Sequence, residues 1–229
     1  MKIAVVIPVY NEKNTLLEII ERVQNTKFEK TIILVDDFST DGTRQLINDN
    51  VKSENILKFF HDKNMGKGAA LRTGFANIPD DCEITIIQDA DLEYDPEDYS
   101  IVLKPIIDLK ADVVYGSRFK GISRSMFFWH YLGNKFLSLL TNILYNTLIT
   151  DMETCYKAFK SGIIKNVKIT ANRFDFEPEI TAIILKKKYR LVEVPIQYYG
   201  RDYNEGKKIT WRDGFAAIWT LIKYKFKNV

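Results

Sequence analysis

The order of apolar runs along residues 2–118 predicts an α/β fold, a doubly wound and mostly parallel sheet flanked by helices. Three observations support it. Apolar strand-length runs alternate with polar, capped stretches of helical length. Each run ends in polar residues at its carboxyl edge, where open α/β sheets bind their ligands. The chain has 229 residues, 46% hydrophobic and 28% charged, which suits one folded domain with a substantial core and argues against disorder.

The elements follow in order. KIAVVIPVYNE (residues 2–12) is a strand stopped by Pro8 and handed to a helix opener at Asn11. TIILVDD (31–37) is a second strand. It ends in DDFSTDGT, a run of turn and capping residues before a helix at about Thr43. ILKFFHD (56–62) is a third strand. KNMGKGAALRTGF (63–75) follows it, with Gly66, Lys67 and Gly68 opening a helix whose N-terminus favours anions. This is not a Walker A loop, because the first glycine of that motif is missing. A fourth strand at 84–87 runs into QDADLEYDPED (88–98), and a fifth at 112–115 runs into Gly116, Ser117 and Arg118. Asp89 and Asp91 stand one residue apart. In an extended backbone residues i and i+2 point to the same side, so both carboxylates can converge on one hard cation, Mg²⁺ or Mn²⁺, whose open positions phosphate oxygens fill. Taken alone, such an acidic pair is equally well a solvated turn.

VIPVYNE, VDDFSTDGT, KNMGKGAALRTGF, QDADLEYDPED, YGSRFKG (115–121), DMETCYKAF (151–159) and VEVPIQYYGR (192–201) occur in order over nearly the whole chain. Together they resemble family-2 glycosyltransferases of the GT-A fold, most closely those that act on polyprenyl or dolichyl phosphate. The resemblance implies a divalent cation (Mg²⁺ or Mn²⁺) held chiefly by Asp91, with Asp89 nearby and Glu93 where related enzymes offer a further ligand. It implies a nucleotide-sugar grip from Pro8, Tyr10, Glu12, Asp37, Lys67, Asp89 and Arg201. Asp37 can accept the imino N–H of uracil or guanine, leaving UDP and GDP both open; Asp36 is expected to order its loop. Lys67 suits a diphosphate or the base edge. Arg118, whose guanidinium fork matches phosphate, is expected to act in catalysis beside Asp89 and Asp91 and to hold the acceptor phosphate or the donor diphosphate. Asn134 and Asp151 complete the expected acceptor side. Arg124 and Ser125 come earlier than the family's second arginine and serine, and Trp129 and His130 precede Asn134 on the following helix. Arg201, Glu205, Gly206, Lys207 and Lys208 resemble a loop that closes over donor phosphates.

These readings divide the chain into a nucleotide-sugar part (1–118), an acceptor part (119–206) and a basic amphipathic C-terminal helix (207–229). The expected reaction is metal-dependent transfer of a hexose, with inversion, from a UDP- or GDP-sugar to polyprenyl or dolichyl phosphate at a membrane surface. A phosphate acceptor is already anionic and needs no base. A sugar-hydroxyl acceptor, the first alternative, would need one, for which Asp151, Glu153, Glu177 and Glu179 are candidates. A non-catalytic nucleotide-sugar-binding subunit is the second alternative.

Charge and hydropathy bound the partners. Residues 207–229 carry six cations against Asp213, and their lysines alternate with Trp211, Phe215, Ile218, Trp219, Ile222 and Phe226 at helical spacing. Thr210 and Asp213 suit a capping box. This helix either lies in a membrane interface or docks on the core; no nucleic-acid partner is expected. Residues 126–150 are rich in apolar side chains but interrupted by Lys135. Asn134, Ser138, Asn142 and Asn146 form a polar stripe read as the wet face of a core, oligomer or lipid-facing helix. A cytoplasmic protein, peripheral on a membrane and associated with an anchored partner or its own copy, is the expectation. Cys82 and Cys155 are expected to be free thiols.

Overall fold

The computed structural model describes residues 1–124, 127–200 and 211–228, with the side chains of Trp211 and Arg212 excepted. Ser125, Arg201, Glu205, Gly206, Lys207, Lys208 and Thr210, all named above, lie outside the described residues.

Strand and helix alternate as expected. β1 (Lys2–Val9), α1 (Leu16–Asn25), β2 (Glu29–Asp36), α2 (Thr43–Asn50), β3 (Ile56–Phe60), α3 (Lys67–Ala76) and β4 (Cys82–Ile87) make the first half. α4 (Tyr99–Ile107), β5 (Val113–Ser117), α5 (Phe128–Tyr145), β6 (Lys157–Lys160), α6 (Ser161–Asn166), α7 (Phe176–Lys186), β7 (Leu191–Pro195) and α8 (Trp211–Phe226) make the second. The seven strands form one sheet in the order β3-β2-β1-β4-β6-β5-β7. All neighbours are parallel except β6, which runs antiparallel between β4 and β5.

β1 shows why the strands read as continuous apolar runs. Ile3, Val5, Ile7 and Val9 enter one buried cluster, while Ala4 and Val6 enter the cluster on the opposite face. Both faces are covered by helices, so there is no polar face to alternate with. Pro8 is tolerated in this central strand because of where β4 stops. The Val6 carbonyl accepts from Gln88 N–H, so Pro8, two residues on, faces the same side after β4 has ended at Ile87. A missing donor costs no ladder bond there.

The strand order reverses at β1/β4: the chain moves outward through β2 and β3, then returns to β4 on the other side of β1. That switch point is where open α/β sheets form their ligand crevice. The antiparallel β6 adds a second device. Its N-terminal end lies at the carboxyl edge of β4 and β5, so residues 151–156, which precede it, meet the loops that leave those two strands.

Candidate active site

The crevice is built from five segments. Residues 10–13 after β1 and 39–43 after β2 are tied together by backbone donors on side chains. Asn11 N–H donates to Ser39 Oγ (2.9 Å), Thr40 N–H to Asn11 Oδ1 (2.8 Å), and Glu12 N–H to Thr43 Oγ1 (3.0 Å). Asn11 takes φ 55°, a left-handed conformation that asparagine tolerates better than most residues. Pro8, Tyr10 and Glu12 are thereby held at the mouth of the switch point. Asp36, fully buried, is bound by Arg44 Nε at 2.7 Å, which fits the expected loop-ordering role.

Asp37 has a set of partners that the sequence did not indicate. It is only 2% exposed; its two oxygens accept from Met65 N–H (2.8 Å) and Gly66 N–H (2.7 Å), and His61 Nδ1 lies 2.7 Å away. Asp37 thus caps the loop just before α3. The glycines there serve close packing: Gly66 has φ 94°, a Cβ on it would collide with the Asn172 carbonyl, and that carbonyl accepts from Ala69 N–H. The Met65, Gly66 and Ala69 donors are thus committed within the protein.

Lys67 turns from the start of α3 into the sheet edge. Its Nζ stands 2.9 Å from Asp89 Oδ1, 2.9 Å from Cys155 Sγ and 3.5 Å from Glu177 Oε1. Burial works against its charge, but the Asp89 and Glu177 carboxylates outweigh that and hold its pKa above the ordinary lysine value. Asp89 and Asp91 follow β4, Asp91 in a turn, and both are half-buried. Gln88 braces their loop: its Nε2 donates to the Tyr94 carbonyl (3.1 Å) and its Oε1 accepts from Tyr99 OH (3.1 Å). Glu93 does not complete a three-carboxylate cluster. Its Oε2 accepts from Tyr198 OH at 2.9 Å, and Leu92 at φ 64° makes the intervening turn. No group of three or more His, Cys, Asp or Glu among the described residues is placed to cage a metal. Both Asp89 oxygens lie within reach of Lys67 Nζ, at 2.9 and 3.0 Å, which leaves Asp91 as the carboxylate that suits Mg²⁺ or Mn²⁺, since such ions often take one or two carboxylates and fill the remaining positions with substrate phosphate and water.

Arg118 and Asp151 come together, 33 residues apart in sequence. Asp151 is fully buried and Arg118 is 8% exposed. Arg118 donates through Nε (2.8 Å) and Nη2 (2.7 Å) to the two carboxylate oxygens, and through its backbone N–H (3.0 Å). The fork expected to hold phosphate is thus matched bidentately by Asp151, and the guanidinium lies over the Tyr198 ring. Glu193 supports the pair from β7, accepting from Thr150 N–H (2.8 Å) and Asp151 N–H (3.0 Å). Asn134 lies half-buried on α5, and His130 packs its ring against Phe127.

Glu177, Glu193, Gln88 and Tyr198 are the residues that sequence reasoning left without their observed parts. All lie in or beside the quoted motifs or among the candidate bases, so position was visible and partnership was not. Among the described residues, Glu153 Oε1 and Glu177 Oε2 are buried with no hydrogen-bond partner. Burial, and then the charge of Glu177, push Glu153 up to about 8. An ordinary glutamate releases its proton near 4.5. Between these values the folded protein therefore binds more protons than the unfolded chain, and stability falls as pH rises through that window. Melting temperature is expected to decline from pH 5 to pH 8, and Glu153→Gln is expected to flatten the decline. An unchanged slope in the variant would remove Glu153 from this role.

The polar stripe on α5 is the clearest reversal. Ser138 Oγ accepts from Met152 N–H (3.0 Å), and the Asn142 amide exchanges two 2.9 Å bonds with the backbone of Ile149. Asn146 closes the helix at φ 49°. Ser138 and Asn142 thus face inward and satisfy the irregular segment that leads to Asp151, while Asn146 is exposed and apolar side chains of α5 face outward. α8 likewise docks through Ala217, Thr220, Leu221 and Tyr224, and leaves Phe215, Trp219 and Phe226 exposed. The two cysteines are free.

A sheet of this order, with an acidic pair at the switch point and a lysine beside it, defines the chain as a glycosyltransferase of the GT-A fold. Residues 4–168 match the family described as Glycosyl transferase family 2, and the chain belongs to it. It is 28% identical to a UDP-N-acetylglucosamine–dolichyl-phosphate N-acetylglucosaminyltransferase of Methanococcus voltae, over 99% of this chain and 97% of that one. It is 28% identical to an uncharacterized protein of Methanocaldococcus jannaschii, over 98% and 92%. Among solved structures it resembles glucosyl-3-phosphoglycerate synthase of Mycobacterium tuberculosis in complex with Mn²⁺, UDP and phosphoglyceric acid. That match has a TM-score of 0.76 at 16% identity, covering 100% of this chain and 80% of the other. Mannosyl-3-phosphoglycerate synthase of Rubrobacter xylanophilus gives 0.74 at 16%, covering 98% and 72%. At these identities the structural matches speak to the fold.

Proposed function

We propose that this glycosyltransferase moves a hexose-class sugar, with inversion at C1, from a UDP- or GDP-sugar to a polyprenyl or dolichyl phosphate at a membrane surface, using Mg²⁺ or Mn²⁺. The observation that carries the reading is the pairing of Asp89 and Asp91 at the carboxyl end of β4 with Lys67 beside them. Full-length likeness to a dolichyl-phosphate enzyme that uses a UDP-sugar supports the acceptor class and favours UDP.

Each part of the chain has a task in this reaction. Pro8, Tyr10, Glu12 and the Asp37 loop border the nucleotide, and Lys67 offers positive charge to the diphosphate. A divalent cation bound at Asp91 and Asp89 would neutralise the charge that builds on the leaving diphosphate. The acceptor phosphate oxygen is already anionic, so it forms the new bond to C1 without proton removal as the bond to the diphosphate breaks. Arg118, held in place by Asp151 and Glu193, stands at the acceptor side as a fixed positive group. Arg201 is kept as a proposed donor-phosphate contact on resemblance alone.

The test is to supply the protein with radiolabelled UDP-glucose, UDP-N-acetylglucosamine and GDP-mannose in separate reactions with polyprenyl phosphate or the dephosphorylated polyprenol. Label is expected in the organic phase only with the phosphorylated acceptor. Equal transfer to polyprenol would move the assignment to a hydroxyl acceptor.

A further inference from the structure

α5 exposes an apolar ridge on the side opposite its buried residues. Trp129, Leu132, Phe136, Leu139 and Ile143 recur at steps of three and four residues and are 77%, 46%, 52%, 56% and 70% exposed. α8, packed beside it, exposes Phe215, Trp219, Ile222 and Phe226 at steps of four, three and four, 67%, 66%, 37% and 81% exposed. The two helices are joined through a small core of Leu137, Ile149, Met152, Ala217 and Leu221, and Tyr145 OH donates to the Leu221 carbonyl at 2.7 Å. Both ridges are exposed, on two helices that touch each other through that core. Soluble proteins rarely expose so many large apolar side chains together.

The charges on the two helices narrow the choice of partner. α5 has no acidic residue and carries Lys135; α8 has Asp213 as its one acid and carries Arg212, Lys223 and Lys225, with Lys227 just beyond it. Lys223 and Lys225 are exposed near Phe226, and no ion pair joins Lys223, Lys225 or Lys227 to a carboxylate among the described residues. A second copy of the same face would bring like charges together. An anionic lipid surface takes both the tryptophan and phenylalanine ridges and the lysines beside them. No helix among the described residues is long and apolar enough to cross a membrane, so the contact is one of lying on the surface.

We infer that α5 and α8 together form a lipid-docking face, with their ridges in the headgroup–acyl boundary of an anionic membrane. The choice of lipid as occupant draws on the proposed lipid-linked acceptor, and it assigns that acceptor a geometry. α5 begins at Phe128, ten residues after Arg118, and its Ser138 and Asn142 brace the segment leading to Asp151. The face that meets lipid therefore belongs to the same helix that builds the acceptor side. An isoprenoid tail can stay in the membrane while its phosphate is presented to Arg118.

The test is flotation of the full chain with vesicles of phosphatidylcholine alone or with phosphatidylglycerol added, at low and high salt. Wild type is expected to float with the anionic vesicles, less at high salt. Leu139→Glu/Ile143→Glu and, separately, Trp219→Glu are expected to lower the bound fraction by about tenfold or more. Their melting temperatures should match wild type because these side chains are exposed. Transfer to acceptor presented in detergent should persist in the variants, while transfer to acceptor in vesicles should fall. A full chain that ignores anionic vesicles, or variants that float like wild type, would overturn the proposal. A dimer in solution that the same substitutions split would assign the face to a second copy instead. Flotation without any transfer to polyprenyl phosphate would leave the docking face standing and remove the acceptor assignment.

Discussion

Asp91→Ala is expected to reduce sugar transfer by about 10²-fold or more while the protein remains folded. Asp91 sits half-buried at the end of β4, outside the hydrophobic clusters, and its Oδ1 accepts from Glu93 N–H across a turn (3.1 Å). Its loss loosens a loop but opens no cavity in the core. It does remove a carboxylate from the proposed metal site. Asp91→Asn keeps the turn and the shape, so if charge is what matters it should be nearly as inactive as the alanine variant. A chelator should mimic both in wild type, and added Mn²⁺ or Mg²⁺ should restore wild type but neither variant. Turnover that is undiminished in chelator would end the metal assignment.

Asp151→Ala should act through stability first. The Arg118 guanidinium would keep its charge at 8% exposure with its two-pronged partner gone. Breaking a buried pair from one side typically costs about 3–5 kcal/mol, because the remaining ion is desolvated without compensation. In a domain of this length that is a fall of roughly 6–20 °C in melting temperature. Arg118→Lys should cost less stability, since a charge still faces Asp151, but it cannot reproduce the planar fork. A thermal melt of both variants reads the difference directly. If Asp151→Ala melts within about 2 °C of wild type, Arg118 has turned to another partner, and it is available to grip a ligand phosphate by itself.

The contrast between these two sites explains what was legible in the sequence. The strands were visible because burial on both faces leaves unbroken apolar runs, and their carboxyl ends were visible because polar residues begin there abruptly. Asp89, Asp91 and Lys67 could be placed at those ends from sequence. Their neighbours could not, because contact across a sheet depends on strand order, and the antiparallel insertion of β6 has no local signal. That insertion brings residues 151–156 to Arg118, so a guanidinium that reads as a phosphate binder is found holding a carboxylate. That Asp37 also caps the loop before α3 was hidden for the same reason: its donors come from 28 and 29 residues away. α5 was misread in a different way. Its polar and apolar stripes were both apparent, but periodicity does not say which stripe faces inward. The rule that polar faces water fails here because the adjoining irregular segment has backbone groups that Ser138 and Asn142 must satisfy.

The position of β6 also sets a timetable for the chain during its synthesis. β5 is made before β6 but lies beyond it in the sheet, so it cannot join the sheet until β6 has been made and inserted. Seventy-three residues separate Ile87 from Lys160, which at ordinary translation speeds is about 4–15 s. Throughout that interval β4 is an open parallel edge with the sequence CEITII, and β5 waits unpaired. The nascent protein is thus most exposed to wrong pairing in mid-synthesis, when the first half can already form and the second half has nothing to dock on.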